Sequence, residues 1–138
     1  ISTGTGNIGI GNSVLSTANS SFNIAIGSSV LTCVTGTENV GIGCGTLEAN
    51  VAGGNNVGIG TLTLSTNISG NNNVGIGYLA LSASTGNRNV AIGSAAGSQA
   101  GAVSDKLYIA NCGSCNLITK LFVLVVIYIH LEILQLVG

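Results

Sequence analysis

One pentapeptide recurs six times along this chain, and its spacing leaves few folds open. The copies are Asn7-Ile-Gly-Ile-Gly11, Asn23-Ile-Ala-Ile-Gly27, Asn39-Val-Gly-Ile-Gly43, Asn56-Val-Gly-Ile-Gly60, Asn73-Val-Gly-Ile-Gly77 and Asn89-Val-Ala-Ile-Gly93, with successive asparagines 16, 16, 17, 17 and 16 residues apart. A strict period of this length marks stacked units, each too small to bury a core by itself. Other columns keep the same register. Leu15, Leu31, Leu47, Leu64 and Leu81 lie eight residues after an Asn, where the last unit has Gly97. Gly4, Ser20, Gly36, Gly53, Gly70 and Gly86 lie three residues before one. The additional residue of the third and fourth units falls between the Leu and the next Gly column. Length variation confined to one place marks a loop.

Glycine at every second or third position argues against helix, at about 1 kcal/mol each relative to alanine. The aliphatic before each Gly or Ala and the isoleucine after it (Ile10, Ile26, Ile42, Ile59, Ile76, Ile92) share one face of a strand. A second extended piece is expected around the Leu, as in Thr61-Leu-Thr-Leu64. The expected fold is therefore all-β: a parallel β-roll, or β-solenoid, of about six 16–17-residue turns over residues 1–104, closed by a C-terminal β segment within 105–118. Val, Ile and Leu would then form internal stripes. The Asn column would turn a corner in left-handed backbone and hydrogen-bond up the stack. The Gly three residues earlier would supply another positive-φ position. On this phase Gly9, Ala25, Gly41, Gly58, Gly75 and Ala91 face outward. A stripe without bulk lets another backbone approach, so it is assigned to contact with identical chains. The alternative is that these small residues relieve crowding within one chain.

Composition narrows function. Charged residues are 5% of the chain, against about 25% in ordinary soluble domains. The only cations are Arg88, Lys106 and Lys120, so nucleic-acid binding has no electrostatic basis. Gly4-Thr-Gly-Asn-Ile-Gly9 matches a dinucleotide fingerprint, but no helix is expected after it and the repeat already explains the glycines. Cys112-Gly-Ser-Cys115 is a lone pair without the further ligands zinc needs, and reads first as a local disulfide or two thiols, with metal or redox roles as alternatives. Cys33 and Cys44 sit in different columns and read as small apolar fillers. With one His (His130), one Asp (Asp105) and Glu38 and Glu48 in different, solvent-facing columns, no catalytic, cofactor-binding or metal-binding residue is assigned and no enzyme is expected. Asn19-Ser-Ser21 and Asn67-Ile-Ser69 match the N-glycosylation sequon.

The chain opens mid-repeat at Ile1-Ser-Thr-Gly4, as expected of a piece of a longer protein. Residues 119–138 form an apolar tail with three competing readings. It is a membrane-spanning helix over Leu121–Val137, a strand or hairpin packed on the open end of the roll, or a non-native continuation. The strand reading rests on Ile127, Ile129, Leu131 and Ile133 alternating with Tyr128, His130 and Glu132.

The unit N-[VI]-[GA]-I-G with a mid-teens spacer resembles the head repeats of YadA-like trimeric autotransporter adhesins. It is also similar to the NTAIG-type repeats of phage and giant-virus fibres and of large bacterial surface proteins. The likeness covers residues 4–104, and Asp105-Lys-Leu-Tyr-Ile-Ala-Asn111 with Asn116-Leu-Ile118 looks like the piece that closes such arrays. It implies a left-handed roll, a homotrimer, an extracellular, cell-surface or virion location, and a host surface or glycan as ligand. The expected function is a structural fibre or adhesin segment. Attachment would be presented on the loops Ser16–Asn19, Glu48–Ala52 and Ser65–Ser69. The alternatives are a surface protein anchored in a membrane by its apolar tail, and an ice-binding solenoid, for which only Thr61-Leu-Thr63 has the right pattern.

Overall fold

A computed structural model describes residues 4–110, which form an all-β solenoid. Its strands are β1 (Ile8–Asn12), β2 (Ile24–Ser28), β3 (Val40–Ile42), β4 (Val57–Ile59), β5 (Val74–Ile76), β6 (Val90–Ile92) and β7 (Leu107–Ile109). They make one sheet in sequence order, each parallel to the next. The register places Val40 beside Val57 and Val57 beside Val74, so every column stacks on itself. Neighbouring strands lie about 4.8 Å apart, which makes the seven-strand rod roughly 29 Å long. β7 belongs to the expected closing segment and pairs Leu107 with Val90 and Ile109 with Ile92. Cys112, Cys115, His130 and the apolar tail lie outside the described residues.

Each turn contains one strand, not the two expected. The stretch around the Leu is a run of tight turns, with Leu62 and Leu64 at φ 55° and 52° on either side of Thr63. Left-handed backbone costs an L-residue about 1–2 kcal/mol. The backbone there still pairs between turns: Leu47 N donates to Thr63 O and Leu64 N to Ala80 O, both at 3.0 Å. The twist aims the leucines inward. Leu31, Leu47, Leu64 and Leu81 are fully buried and form the centre of the core, as their column implied, while Leu15 in the first turn is half-buried.

The strand face has the opposite phase to the one expected. Ala25 and Ala91 are completely buried, and Gly41, Gly58 and Gly75 are buried with them. The valines and isoleucines flanking them point out. The reason is the width of the coil. A Cβ on Gly58 would lie 2.6 Å from Thr46 Cγ2, and one on Gly75 would lie 2.6 Å from Thr63 Cγ2. The buried leucines and the column before them already fill the interior, so the strand can contribute almost no side chain to it. The small residues relieve crowding within one chain, and the outward stripe assigned to Gly9, Ala25, Gly41, Gly58, Gly75 and Ala91 is corrected accordingly. In the first described turn Gly9 is exposed, yet a Cβ there would still meet Val14 Cγ2 at 3.1 Å.

The Asn column forms the expected ladder inside the coil. Asn23, Asn39, Asn56, Asn73 and Asn89 are fully buried. Asn56 N and Nδ2 donate to Asn39 Oδ1 at 3.0 and 3.1 Å, and Asn56 Nδ2 also donates to Gly70 O at 2.8 Å. Its own Oδ1 accepts from Asn73 N and Nδ2 at 2.9 and 3.1 Å. Each side chain thus clamps the turns before and after it. The left-handed corner falls on the residue before the ladder position, not on it: Phe22, Glu38, Asn55, Asn72 and Arg88 before an Asn, and Asp105 before Lys106, have φ between 54° and 62°. The Gly three residues before the Asn is needed for close approach instead. A Cβ on Gly53 would run into the carbonyl of Gly70 in the next turn.

The last turn changes this chemistry. Lys106 takes the Asn position and donates its N–H to Asn89 Oδ1 at 3.1 Å, but its side chain has no oxygen to pass the ladder on. Tyr108 takes the small-residue position. Its ring fills the space that a side chain at Gly97 would need, since a Cβ there would lie 2.8 Å from Tyr108 Cδ2. The one break in the Leu column and the one large residue in the Gly/Ala column therefore compensate each other.

Candidate interaction surface

Inverting the strand phase exposes two parallel files of β-branched side chains along the rod. Ile8, Ile10, Ile59, Ile76 and Ile92 are exposed, with Ile10 at 59% and Ile92 at 43%. Leu107 and Ile109 continue the files onto β7, also exposed. Ile24, Ile26, Val40, Ile42, Val57, Val74 and Val90 are half-buried in the same face. They shield one another along the stack, and among the described residues no layer lies over them. Water-facing sheets normally alternate apolar-in and polar-out; here the apolar side chains are outside and glycine is inside. A contiguous apolar surface of this kind marks an interaction site far better than scattered single residues do.

The flanks of these files are uncharged. The position two residues after each outward Ile is Asn12, Ser28, Cys44, Thr61, Tyr78 and Ser94 in successive turns, and all are exposed. Among the described residues the charged side chains are Glu38, Glu48, Arg88, Asp105 and Lys106, and none lies in the files. Arg88 and Asp105, one turn apart, form a two-pronged ion pair at 2.6 and 2.9 Å on the corner column. The hydrogen bond from Arg88, with desolvation acting against it, holds the Asp105 carboxyl below its ordinary pKa, and Asp105 raises that of Arg88.

The other residues singled out by sequence are scattered. Glu38 and Glu48 face solvent separately. Cys33 and Cys44 are exposed free thiols, not interior fillers, because the coil interior is already occupied. Thr63, half of the Thr61-Leu-Thr63 pattern, is fully buried and donates to Gly77 O at 2.7 Å, so that pattern forms no outward threonine array. In the presentation loops Ala18, Asn50 and Asn67 are buried, while Ser16, Thr17, Asn19, Glu48, Val51, Ala52, Thr66, Ile68 and Ser69 are exposed. Gly4 to Gly9 runs into β1 rather than into a helix. Among the described residues no group of three or more His, Cys, Asp or Glu could hold a metal ion. No helix among them is long and apolar enough to cross a membrane.

Sequence reasoning found the Val/Ile columns but put them inside. A usable signal was present. Val14, Val30, Thr46, Thr63, Ala80 and Ala96 form an apolar or small column directly before the Leu column. Two filled columns already supply the core of so narrow a coil. Comparison with family models, with curated proteins and with solved structures gives no match.

Proposed function

We propose that this chain is a structural segment of a fibre or adhesin. It is a rigid rod that associates with two identical copies through its Val/Ile face and presents its corners and loops for attachment. The observation that carries this reading is the continuous, uncharged file of outward aliphatics on β1 to β7. Its repeat is set by the strand spacing, about 4.8 Å. A second copy of the same rod matches that repeat turn for turn, and parallel copies around an axis bring like residues together. The corner and loop columns vary from turn to turn while the Asn ladder and the Ile column keep one residue type over six turns, which suits multivalent display on one scaffold. The ligand in this reading is a surface or glycan at the cell exterior or on a virion. Sedimentation equilibrium of the full chain tests the assembly. The expected mass is three times the 13.5 kDa of one chain, and a stable monomer at micromolar concentration overturns the reading.

A further inference from the structure

The two N-glycosylation sequons occupy opposite environments. Asn67 of Asn67-Ile-Ser69 is fully buried. Its Nδ2 donates to Gly70 O at 3.0 Å and to Asn50 Oδ1 at 3.3 Å, and its Oδ1 accepts from Gly70 N at 3.0 Å. Both amide hydrogens and the carbonyl are therefore committed inside the coil. The space around them is closed, because even a methyl on Gly70 would collide with Asn67 Oδ1. Asn19 of Asn19-Ser-Ser21 is instead exposed on the surface of the coil.

We propose that Asn19 is a glycan-tolerant site and Asn67 a glycan-intolerant one, so that the solenoid forms only where Asn67 escapes N-glycosylation. In that reaction the asparagine Nδ2 attacks the anomeric carbon of a lipid-diphosphate-linked oligosaccharide. The C–N bond forms, the glycosyl–phosphate bond breaks with its electron pair leaving on the lipid diphosphate, and the proton lost from Nδ2 passes to solvent. The transfer acts on the chain before it is folded, so later burial does not protect Asn67. The glycan is bulky and strongly hydrated. At Asn67 it would remove one of two donors and would have to fit where the side chain is fully enclosed, whereas Asn19 is exposed. This inference stands apart from the proposed function and narrows where such a rod can be made: a bacterial cell or a cytosolic assembly route suits it, and a eukaryotic secretory route does not.

The test routes the full chain through the secretory pathway of eukaryotic cells with a cleavable signal and compares it with Ser69→Ala. Ser69 is exposed, and its carbonyl accepts from Asn71 Nδ2 at 2.9 Å, a bond that survives the substitution. Glycan occupancy is read by mass spectrometry, and folding by protease resistance of the same molecules in the cell lysate. Chains carrying a glycan at Asn67 should be digested at least tenfold faster than Ser69→Ala chains. Those Ser69→Ala chains should stay resistant with or without a glycan at Asn19, the bare state being supplied by Asn19→Gln. Equal resistance of the two proteins overturns the proposal, as does a folded wild-type chain glycosylated at Asn67 or a wild-type population that leaves Asn67 bare. Loss of resistance on glycosylation of Asn19 overturns the other half.

Discussion

At the scale of single residues, the corner before each ladder position shows backbone geometry imposed by the neighbouring turn. Phe22, Glu38, Asn55, Asn72, Arg88 and Asp105 share left-handed φ although they have five different side-chain types. In each case the N–H reaches back one turn to a carbonyl: Phe22 to Thr5, Glu38 to Ser21, Asn55 to Thr37, Asn72 to Gly54, Arg88 to Asn71 and Asp105 to Asn87, at 2.9 to 3.3 Å. Glu38 is exposed and pays for a conformation that Asn adopts more readily. Glu38→Asn, which copies the next two turns, should stabilise the fold by about 0.5–1 kcal/mol, seen as a higher urea midpoint at unchanged slope. A lower midpoint would mean that the glutamate side chain contributes more than its backbone strain costs. This column was illegible in the sequence for the same reason. A constraint delivered by inter-turn hydrogen bonds leaves no residue preference behind, whereas the Asn ladder, which needs one amide in every turn, is written out six times.

At the scale of the repeating element, the ladder and the last turn carry separable roles. Asn56→Ala removes the acceptor of Asn73 N and the donor to Gly70 O in one step, both in the buried interior. Each orphaned group costs about 1–3 kcal/mol, so the substitution should destabilise the rod by roughly 3 kcal/mol or more in chemical denaturation. A loss below about 1 kcal/mol would show that strand pairing alone positions the turns. The last turn is held from outside as well, by Arg88 and Asp105. The hydrogen bond from Arg88 lowers the Asp105 pKa in the folded state. That contribution is therefore present above the ordinary carboxylate pKa and is lost as pH falls through the depressed one. Amide exchange at Leu107–Ile109, corrected for the intrinsic pH effect, should speed up relative to Val57–Ile59 on acidification, and Asp105→Asn should abolish the difference. The element's other half was misjudged from alternation: Leu62 and Leu64 have strand spacing, but two left-handed residues around Thr63 reproduce that spacing in a tighter path. Period alone does not separate a two-residue strand repeat from a repeating turn.

At the scale of the whole molecule, everything turns on which face of the strand looks inward, and adjacent residues in β5 make that choice testable. Register, the number of turns and the Asn and Leu columns were readable from the repeat because each is a property of spacing. Phase was not readable from the strand pattern, because a period of two fits either face; what decides it is the volume that the Leu column and the column before it already place inside the coil. Gly75 and Ile76 are neighbours with opposite roles. Gly75→Val would drive a branched side chain toward Thr63 Cγ2 and the buried Leu64, so it should unfold the rod or destabilise it by about 3 kcal/mol, with loss of the β signal in circular dichroism. Ile76 is 39% exposed, and Ile76→Ser removes an apolar group without opening a cavity in the single chain. It should keep the spectrum of the rod. Combined with Ile59→Ser in the turn before, it should weaken self-association by at least tenfold in sedimentation, since each change strips a methyl-rich side chain from the face that copies would cover. The opposite pairing of outcomes, with Gly75→Val folded and dissociated and Ile76→Ser unfolded, is what an inward Val/Ile face requires. The two variants thus separate a coil filled by leucine and clothed in isoleucine from one built the other way round.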